Sequence, residues 1–267
     1  MNLYRCEINS GPVKEIKYYK SFIERNKNNI GKRARRCKTS EQQQKINKIR
    51  AEKNIQRLIL CNFQEGDYFI RLSSPFNKFT ENEVEKIFRN FVRRVKYYAK
   101  KNNKQFKYIA CCECGSRGSN WHIHIIVNSE IKDIVYKCWK WKNGVNFQLL
   151  YAQGNYKDLA KYMRKDIRGK KKIKTSRNLN KPTYNISQLN KRDYRRLQCG
   201  EIIDFPQGYT LNETPTMYVN DYTGAAFYFT FTKIQQHKKE LFAVECKIKK
   251  LPYSNAKEQP FNEKVLY

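Results

Sequence analysis

The sequence predicts an α+β fold in which helices pack on one face of a central antiparallel β-sheet. Apolar runs of strand length alternate with amphipathic helical segments between residues 57 and 167, in the order β-β-α-β-β-α-β-α. Turn-forming residues separate neighbouring strands by only a few positions, which favours hairpins and therefore antiparallel pairing. This order of elements is typical of a sheet whose helices are segregated to one side.

Residues 1–55 precede this region and are expected to form a basic arm without a core element. Thr39 or Ser40, each followed by a glutamine three positions later, predicts a capping box that begins a polar helix ending near Ile55. A dense cationic cluster precedes this helix and contains Arg33, Arg35 and Arg36. Such a charge run is usually a solvated face, but the surplus of bases in the chain predicts an arm that contacts phosphates.

Two apolar runs, 57–63 and 67–72, flank the turn-forming segment 64–66 and predict the first hairpin. Thr80 and Glu83 form a second capping-box pattern at the start of a helix. Apolar residues then recur at helical spacing and predict a buried stripe made of Val84, Ile87, Phe88, Phe91, Val92, Val95 and Tyr98.

A second hairpin is predicted over residues 107–128, with its turn at 115–120. A short amphipathic helix is expected at 131–139, and a further strand at 145–150. The last helix of the region is predicted to span about 156–167. The spacing gives it a buried stripe made of Tyr156, Leu159, Ala160, Met163 and Ile167.

Two of the three histidines in the chain, His122 and His124, are separated by one residue within an otherwise apolar strand. Side chains alternate between the faces of a strand, so both imidazoles share one face and the flanking apolar side chains share the other. If Cys114 pairs with Trp121, Glu113 lies directly opposite His122 and diagonal to His124. Two imidazoles and one carboxylate on a single face predict a metal site.

Other interpretations of this hairpin stay open. A histidine on a strand is more often a surface or hydrogen-bonded residue than a ligand. A shift of one residue in the register would turn Glu113 to the opposite face, and Cys111, which shares its face, is a competing soft ligand. A structural zinc site can be written with Cys112, Cys114, His122 and His124. It fits poorly, because those cysteines should face away from the histidines and the spacing is unusual for zinc.

The composition indicates what such a site acts on. The 267 residues include 55 Lys and Arg against 24 Asp and Glu, a formal net charge of +31. This excess is far beyond what solubility requires and predicts a polyanionic partner, nucleic acid. A membrane-surface or ribosomal protein can be equally basic, but the chain has no long apolar segment, and we expect no membrane partner.

The nine cysteines and the first residues bear on the compartment. The first residues lack the apolar core of a signal peptide, and an odd number of cysteines indicates reduced thiols. A cytoplasmic location is therefore expected. Cys61, Cys112 and Cys138 lie in apolar runs and are predicted to be small core residues.

Tyr162 is a second candidate for chemistry. On the last helix it lies about 120° from the centre of the buried stripe, beside Asp158, Lys165 and Asp166. It is therefore expected to project from the helix flank among charges. Most tyrosines in such a position are boundary residues, and the chain has 19 tyrosines, so the case for Tyr162 depends on the histidine pair.

His122-Ile123-His124, followed about forty residues later by Tyr162-Met163-Arg164-Lys165, resembles the HUH endonucleases, specifically rolling-circle replication initiators of phages and plasmids with a Y-x-x-K motif. The resemblance covers roughly 57–182, including the hairpin with Glu113 and the segment 176–182, and it implies an RRM-like palm. Some relatives carry two tyrosines four residues apart on the catalytic helix. This chain has Asp158 at that position, which favours a single-tyrosine enzyme.

The resemblance implies that Tyr162 attacks single-stranded DNA at a replication origin, forming a 5′-phosphotyrosine link and a free 3′-hydroxyl. His122, His124 and Glu113 would hold Mg²⁺ or Mn²⁺, although this ligand set does not exclude zinc. Lys165 would stabilise phosphate charge or position the substrate. The expected location is the cytoplasm of a bacterial host. The candidate DNA contacts are Arg33, Arg35, Arg36, Lys161, Arg164 and Arg177.

Three segments are expected: the basic arm and helix at 1–55, an HUH nicking domain at 56–185, and an extension at 186–267 with a hairpin near 222–225. No P-loop pattern is present, so a host helicase and polymerase are expected partners. A relaxase or a single-tyrosine transposase would use the same residues. A non-catalytic nucleic-acid-binding protein with a structural metal site is the alternative from a different class.

Overall fold

The structure is a computed structural model that describes residues 1–22, 41–73, 79–114, 121–151, 153–164, 173–212, 214–220 and 223–234. The strands in these ranges are β1 (Asn2–Ser10), β2 (Val13–Ser21), β3 (Tyr68–Ser73), β4 (Tyr108–Cys114), β5 (Trp121–Val127), β6 (Val145–Leu149), β7 (Lys174–Thr175), β8 (Thr183–Gln188), β9 (Tyr209–Leu211), β10 (Thr216–Asn220) and β11 (Gly224–Lys233). The α-helices are α1 (Glu41–Asn62), α2 (Glu81–Lys101), α3 (Lys132–Cys138), α4 (Lys157–Tyr162) and α5 (Lys191–Gln198). Within the described ranges, no helix combines the length and the apolar character needed to cross a membrane.

Five strands form a central antiparallel sheet in the order β6-β3-β5-β4-β7. Helices α2 and α3 cover its first face through a buried cluster that includes Ile70, Leu72, Phe88, Phe91, Val95, Ile123, Ile125, Val135 and Trp139. The predicted capping box begins α2, where the backbone N–H of Thr80 donates to a Glu83 carboxylate oxygen at 2.8 Å. The predicted α+β class with an antiparallel sheet is confirmed.

Helices also pack on the second face of the central sheet, whereas the sequence predicted helices on one face. Here α1 and α4 meet the sheet over the buried side chains Ile55, Ile59, Phe63, Ile109, Ile126, Ala160 and Met163. The predicted strand at 57–63 belongs to α1, so the predicted hairpin with 67–72 is wrong. A short apolar run fits a buried helix as well as a strand, and β3 pairs instead with β5 and β6.

A second antiparallel sheet, in the order β10-β11-β2-β1-β8, joins segments from both halves of the chain, and β9 pairs with the end of β11. Strands β1 and β2 form a hairpin with buried side chains at alternate positions. The expectation that residues 1–55 contribute no core element is therefore wrong. Helix α1 begins at Glu41, near the predicted start, but continues to Asn62. The capping residues predicted for it, Thr39 or Ser40, lie outside the described residues.

Strands β10 and β11 form the hairpin predicted near residues 222–225, and β11 pairs with β2. One face of the second sheet is covered by α5 through Tyr194 and Leu197. The other face meets α1, where Arg57 forms a two-pronged ion pair with the buried carboxylate of Glu15 on β2. The Tyr228 hydroxyl of β11 donates to the same carboxylate at 2.6 Å. Helix α1 therefore lies between the two sheets.

Candidate active site

The hairpin of β4 and β5 has the predicted register. Cys114 pairs with Trp121 and Glu113 pairs with His122, so the carboxylate lies on the same face as both histidines. Glu113 Oε2 is 2.9 Å from His124 Nε2, the diagonal contact that this register implies. The apolar residues of β5 between the histidines face the first cluster under α2 and α3. The local alternation of the strand thus separates a polar site from the core.

Helix α4 brings Tyr162 to this face. Its predicted stripe is buried at Tyr156, Ala160 and Met163, which fixes the helix against α1 and the sheet. Tyr162 lies off the stripe and is 43% exposed, as predicted. Its hydroxyl oxygen is 3.5 Å from His124 Nε2, and the two rings meet edge to face at 5.3 Å. The tyrosine and the histidine–carboxylate pair therefore form one cluster.

Phe69 on β3 is a part of the site that sequence reasoning did not identify. Its ring stacks on His124 at a centroid distance of 5.5 Å and an interplanar angle of 4°. It also meets the Tyr162 ring edge to face at 6.0 Å. The only signal for it in the sequence was the alternation of β3, which places every second side chain on the site face once β3 is paired with β5.

The same alternation places Arg71 and Ser73 at the site, and these too were missed. Ser73 Oγ lies 3.3 Å from His122 Nδ1, and Arg71 Nε donates to Ser73 Oγ at 3.3 Å. Arg71 pairs with His124 across β3 and β5 and is exposed. An arginine beside two histidines and a tyrosine gives the site a fixed positive charge that faces solvent.

Burial keeps both histidines neutral. It lowers the pKa of His124 to about 4, and the neighbouring charges of His122 and Arg71 act in the same direction. Burial and Arg71 also lower the pKa of His122. Burial raises the pKa of Tyr162, and Glu113 adds to this effect, whereas Arg71 opposes it. The site therefore offers neutral imidazoles and a protonated phenol at neutral pH.

The donor set suits a divalent metal by its chemistry, since neutral imidazoles and a carboxylate are ordinary ligands. The contact of His122 Nδ1 with Ser73 resembles the second contact that orients a metal-ligating histidine. Glu113 and His124 touch each other directly, and no three His, Cys, Asp or Glu side chains among the described residues already form a metal-binding group. Metal binding therefore requires these side chains to rearrange.

Cys111, the competing ligand, pairs with His124 on the site face. It is buried, and burial raises the pKa of its thiol to about 12. Because the thiolate is the metal-binding form, this environment disfavours Cys111 as a ligand. Cys112 and Cys114 lie on the face opposite the histidines, packed against the first cluster, so the zinc arrangement that uses them is not formed.

The candidate DNA contacts fall in different places. Lys161 is exposed next to Tyr162, and Arg164 is partly buried just beyond it. Arg177 does not join this site, because it follows Ser176, which bonds to Tyr108 at the opposite end of β4 from Glu113. Four further predicted residues lie outside the described ranges: Lys165, Arg33, Arg35 and Arg36.

Comparison with known proteins gives one finding on this region. Residues 68–167 match a family model described as a replication-associated protein of the ORF2 type. The matched range contains Phe69, Glu113, both histidines of the pair and Tyr162. No curated protein and no solved structure matches the chain. The match connects the central sheet and its site with DNA replication.

Proposed function

We propose that the chain is a replication initiator that nicks single-stranded DNA at an origin, with Tyr162 as the nucleophile. One observation carries the proposal: Tyr162 Oη lies 3.5 Å from His124 Nε2, which lies 2.9 Å from Glu113 Oε2. This places a solvent-accessible nucleophile beside side chains suited to a metal. The replication-associated family match and the net charge of +31 support the choice of DNA.

In the proposed reaction, the phenolic oxygen of Tyr162 forms a bond with phosphorus while the bond from phosphorus to the 3′ oxygen breaks. The phenol proton passes to solvent, which reaches this half-exposed side chain, and the leaving 3′ oxygen takes up a proton. The new 5′-phosphotyrosine bond conserves the energy of the broken one, so attack by the 3′-hydroxyl can rejoin the strand. The transesterification therefore supplies a primer end without losing the strand.

Arg71 is placed to assist this step. Its positive charge opposes the rise in the pKa of Tyr162, so it favours the phenolate. It is also exposed on the site face, where it can offset the negative charge of an incoming phosphate. We assign it the role of stabilising negative charge on the phosphate and the attacking oxygen.

His122, His124 and Glu113 are the residues that would hold a divalent cation, Mg²⁺ or Mn²⁺. When bound, such an ion polarises the scissile phosphate as a Lewis acid. The depressed pKa of each histidine keeps its imidazole unprotonated, and so able to bind a cation, at neutral pH. Phe69, stacked on His124, holds that ring in position.

The test is formation of a covalent protein–DNA adduct. The purified protein is incubated with Mn²⁺ and labelled single-stranded DNA tiled across its own replicon, and the products are separated on a denaturing gel. We expect an adduct that disappears in Tyr162→Phe and in His122→Ala. Tyr97→Phe is the matched control, because Tyr97 is an exposed helical tyrosine on α2, far from the site.

An adduct that persists in Tyr162→Phe would contradict the assignment of the nucleophile. Tight DNA binding without an adduct on any tile would favour the non-catalytic binding protein instead. A relaxase or a single-tyrosine transposase would also form the adduct. The DNA site separates these from an initiator, because an initiator cleaves at the replication origin.

A further inference from the structure

The junction between α1 and β2 carries more positive charge than the buried carboxylate of Glu15 can balance. Arg50, Lys53 and Arg57 are spaced three and four residues apart, so they share the face of α1 that meets β2. Both oxygens of Glu15 are already engaged by Arg57. Lys17 lies two residues along β2 on the same face and adds another cation, whose electrostatic neighbours include Arg50 and Arg57.

Lys17 and Lys53 are held where their charge is disfavoured. Burial lowers the pKa of Lys53, and the charges of Arg57 and Lys17 lower it further against the opposing effect of Glu15. Burial and the charge of Arg57 likewise lower the pKa of Lys17. The Tyr228 ring, 3.8 Å from the Lys53 ammonium, compensates only in part. A bound anion would relieve this repulsion, which points to a ligand.

The cluster continues along α4 toward the nucleophile. Lys157 is near enough to Lys53 for its charge to lower the pKa of Lys53. Lys157 and Lys161 are four residues apart on α4, so they are neighbours on its surface, and both are exposed. Lys161 immediately precedes Tyr162. From Lys157 to Tyr162 the helix rises only about 8 Å.

We propose that Lys161, Lys157, Lys53, Arg50 and Lys17, named here the cationic track, bind the phosphates of the single DNA strand next to the bond that Tyr162 cleaves. This inference rests on the proposed nicking function and adds the course of the flanking strand. The track turns from α4 across α1 to β2. A single strand can follow such a turn, whereas duplex DNA is stiff over about 50 nm.

Tyr184 also favours a single strand. Strand pairing places Tyr184 on β8 and Glu15 on β2 opposite the same residue of β1, Ile8, so the tyrosine faces the track from the same side of the sheet. It is 54% exposed, and its ring lies near enough to Arg57 to influence that side chain electrostatically. An exposed ring beside cations is a stacking platform for an unpaired base.

The test compares binding of oligothymidines of about 8 and about 30 nucleotides, lengths at or beyond typical single-strand site sizes. Every protein carries Tyr162→Phe, so that binding is measured without cleavage. We expect Lys17→Gln with Lys53→Gln to weaken binding of the long oligonucleotide several-fold and to affect the short one much less. The slope of log K against log salt for the long oligonucleotide should become shallower by about 0.7 for each lysine removed.

Two controls make the result specific. Lys17→Arg with Lys53→Arg keeps the charge and should restore binding, whereas Lys100→Gln with Lys101→Gln removes two charges from the last turn of α2 and should have little effect. Equal loss for both lengths, no loss, or a greater loss on a hairpin duplex would overturn the proposal. Because the readout is binding by a Tyr162→Phe protein, a wild-type protein that forms no adduct would refute nicking and leave this comparison decisive for the track.

Discussion

One aromatic ring, that of Phe69, contacts both members of the proposed reacting pair, His124 and Tyr162. Such ring contacts contribute about 0.5–1.5 kcal/mol each beyond the area that they bury. We expect Phe69→Leu to fold normally and to form the covalent adduct about threefold to tenfold more slowly, because both rings lose their support. Single-turnover adduct formation with saturating DNA measures this effect.

The matched control for this substitution is Phe147→Leu. Phe147 is also partly buried on a strand of the central sheet, but it packs on the face covered by α2 and α3. An equal loss of rate in both variants would show that Phe69 acts only through general stability. A normal rate in Phe69→Leu would show that the histidine and the tyrosine are positioned without it.

The buried imidazole of His124 makes a prediction about stability and pH. Its pKa is lowered from 6.5 to about 4 in the folded protein. Between these values the unfolded chain binds a proton at this side chain and the folded protein does not, so folding stability rises with pH. The contribution is about 3 kcal/mol across the window and is lost as the pH falls.

Urea unfolding of the metal-free protein between about pH 4 and pH 7 measures this dependence. We expect His124→Gln to flatten the profile in this window while leaving its other features in place. A variant profile that runs parallel to that of the wild type would show that His124 is not the group responsible.

At the scale of residues, the sequence predicted the parts of the site that local periodicity controls. The alternation of β5 and the helical period of α4 are enough to place the histidine pair and Tyr162, and the short hairpin places Glu113. Phe69 and Arg71 could not be found in this way. They reach the site because β3 lies beside β5 in the sheet, and the segment 74–107, including a whole helix, separates these strands in the sequence.

At the scale of elements, the turn between β1 and β2 depends on Gly11. It has a φ of +55°, and a Cβ built there would lie 2.2 Å from the carbonyl oxygen of Leu60 on α1. Gly66 also has a positive φ, of +91°, but a Cβ there would meet nothing within 4 Å. The two glycines therefore separate backbone strain from a steric clash between elements.

We expect Gly66→Ala to cost about 1–2 kcal/mol, because an L-residue is strained at positive φ. Gly11→Ala should cost clearly more, because the hairpin must also move away from α1. Equilibrium urea unfolding of both variants measures the difference. Similar losses would mean that the hairpin can shift on α1 without penalty.

The misassigned segment 57–63 illustrates why elements are hard to predict from an apolar run. Ile59, Leu60 and Phe63 are buried because α1 lies between two sheets, so apolar residues are needed around much of its circumference. A helix of this kind loses the one-sided periodicity that distinguishes it from a strand. By contrast, α2 is buried on one side only, and its pattern predicted it correctly.

At the scale of the whole molecule, the second sheet was not predictable from the sequence. The alternation of buried positions in β1 is regular, but its meaning depends on partners from distant segments. Strand β2 pairs with β11, and Glu15 accepts a hydrogen bond from a tyrosine 213 residues away. Only local patterns can be read along the chain, so the separate basic arm was predicted in place of half a sheet.

This long-range pairing predicts that damage in β11 is felt in β1 and β2. Phe229 is buried in the cluster under α5, beside Ile16 and Tyr18 of β2. We expect Phe229→Ala to destabilise the protein by about 3–5 kcal/mol and to raise hydrogen exchange in the β1–β2 hairpin as well as in β11. Met217→Ala, at an exposed position on the edge strand β10, should change neither. Faster exchange confined to β11 would show that the sheet does not open as a unit.

The same pairing sets an order of events during translation. Strand β2 emerges early, whereas the strand that completes its hydrogen bonding is made more than 200 residues later, as the 213-residue separation of Glu15 and Tyr228 shows. At elongation rates of about 5–20 residues per second, this interval lasts about 10–40 s. Throughout it the nascent hairpin presents an unpaired strand edge and an uncovered apolar face, so the N-terminal segment is the part of the newborn chain that most needs protection by a chaperone.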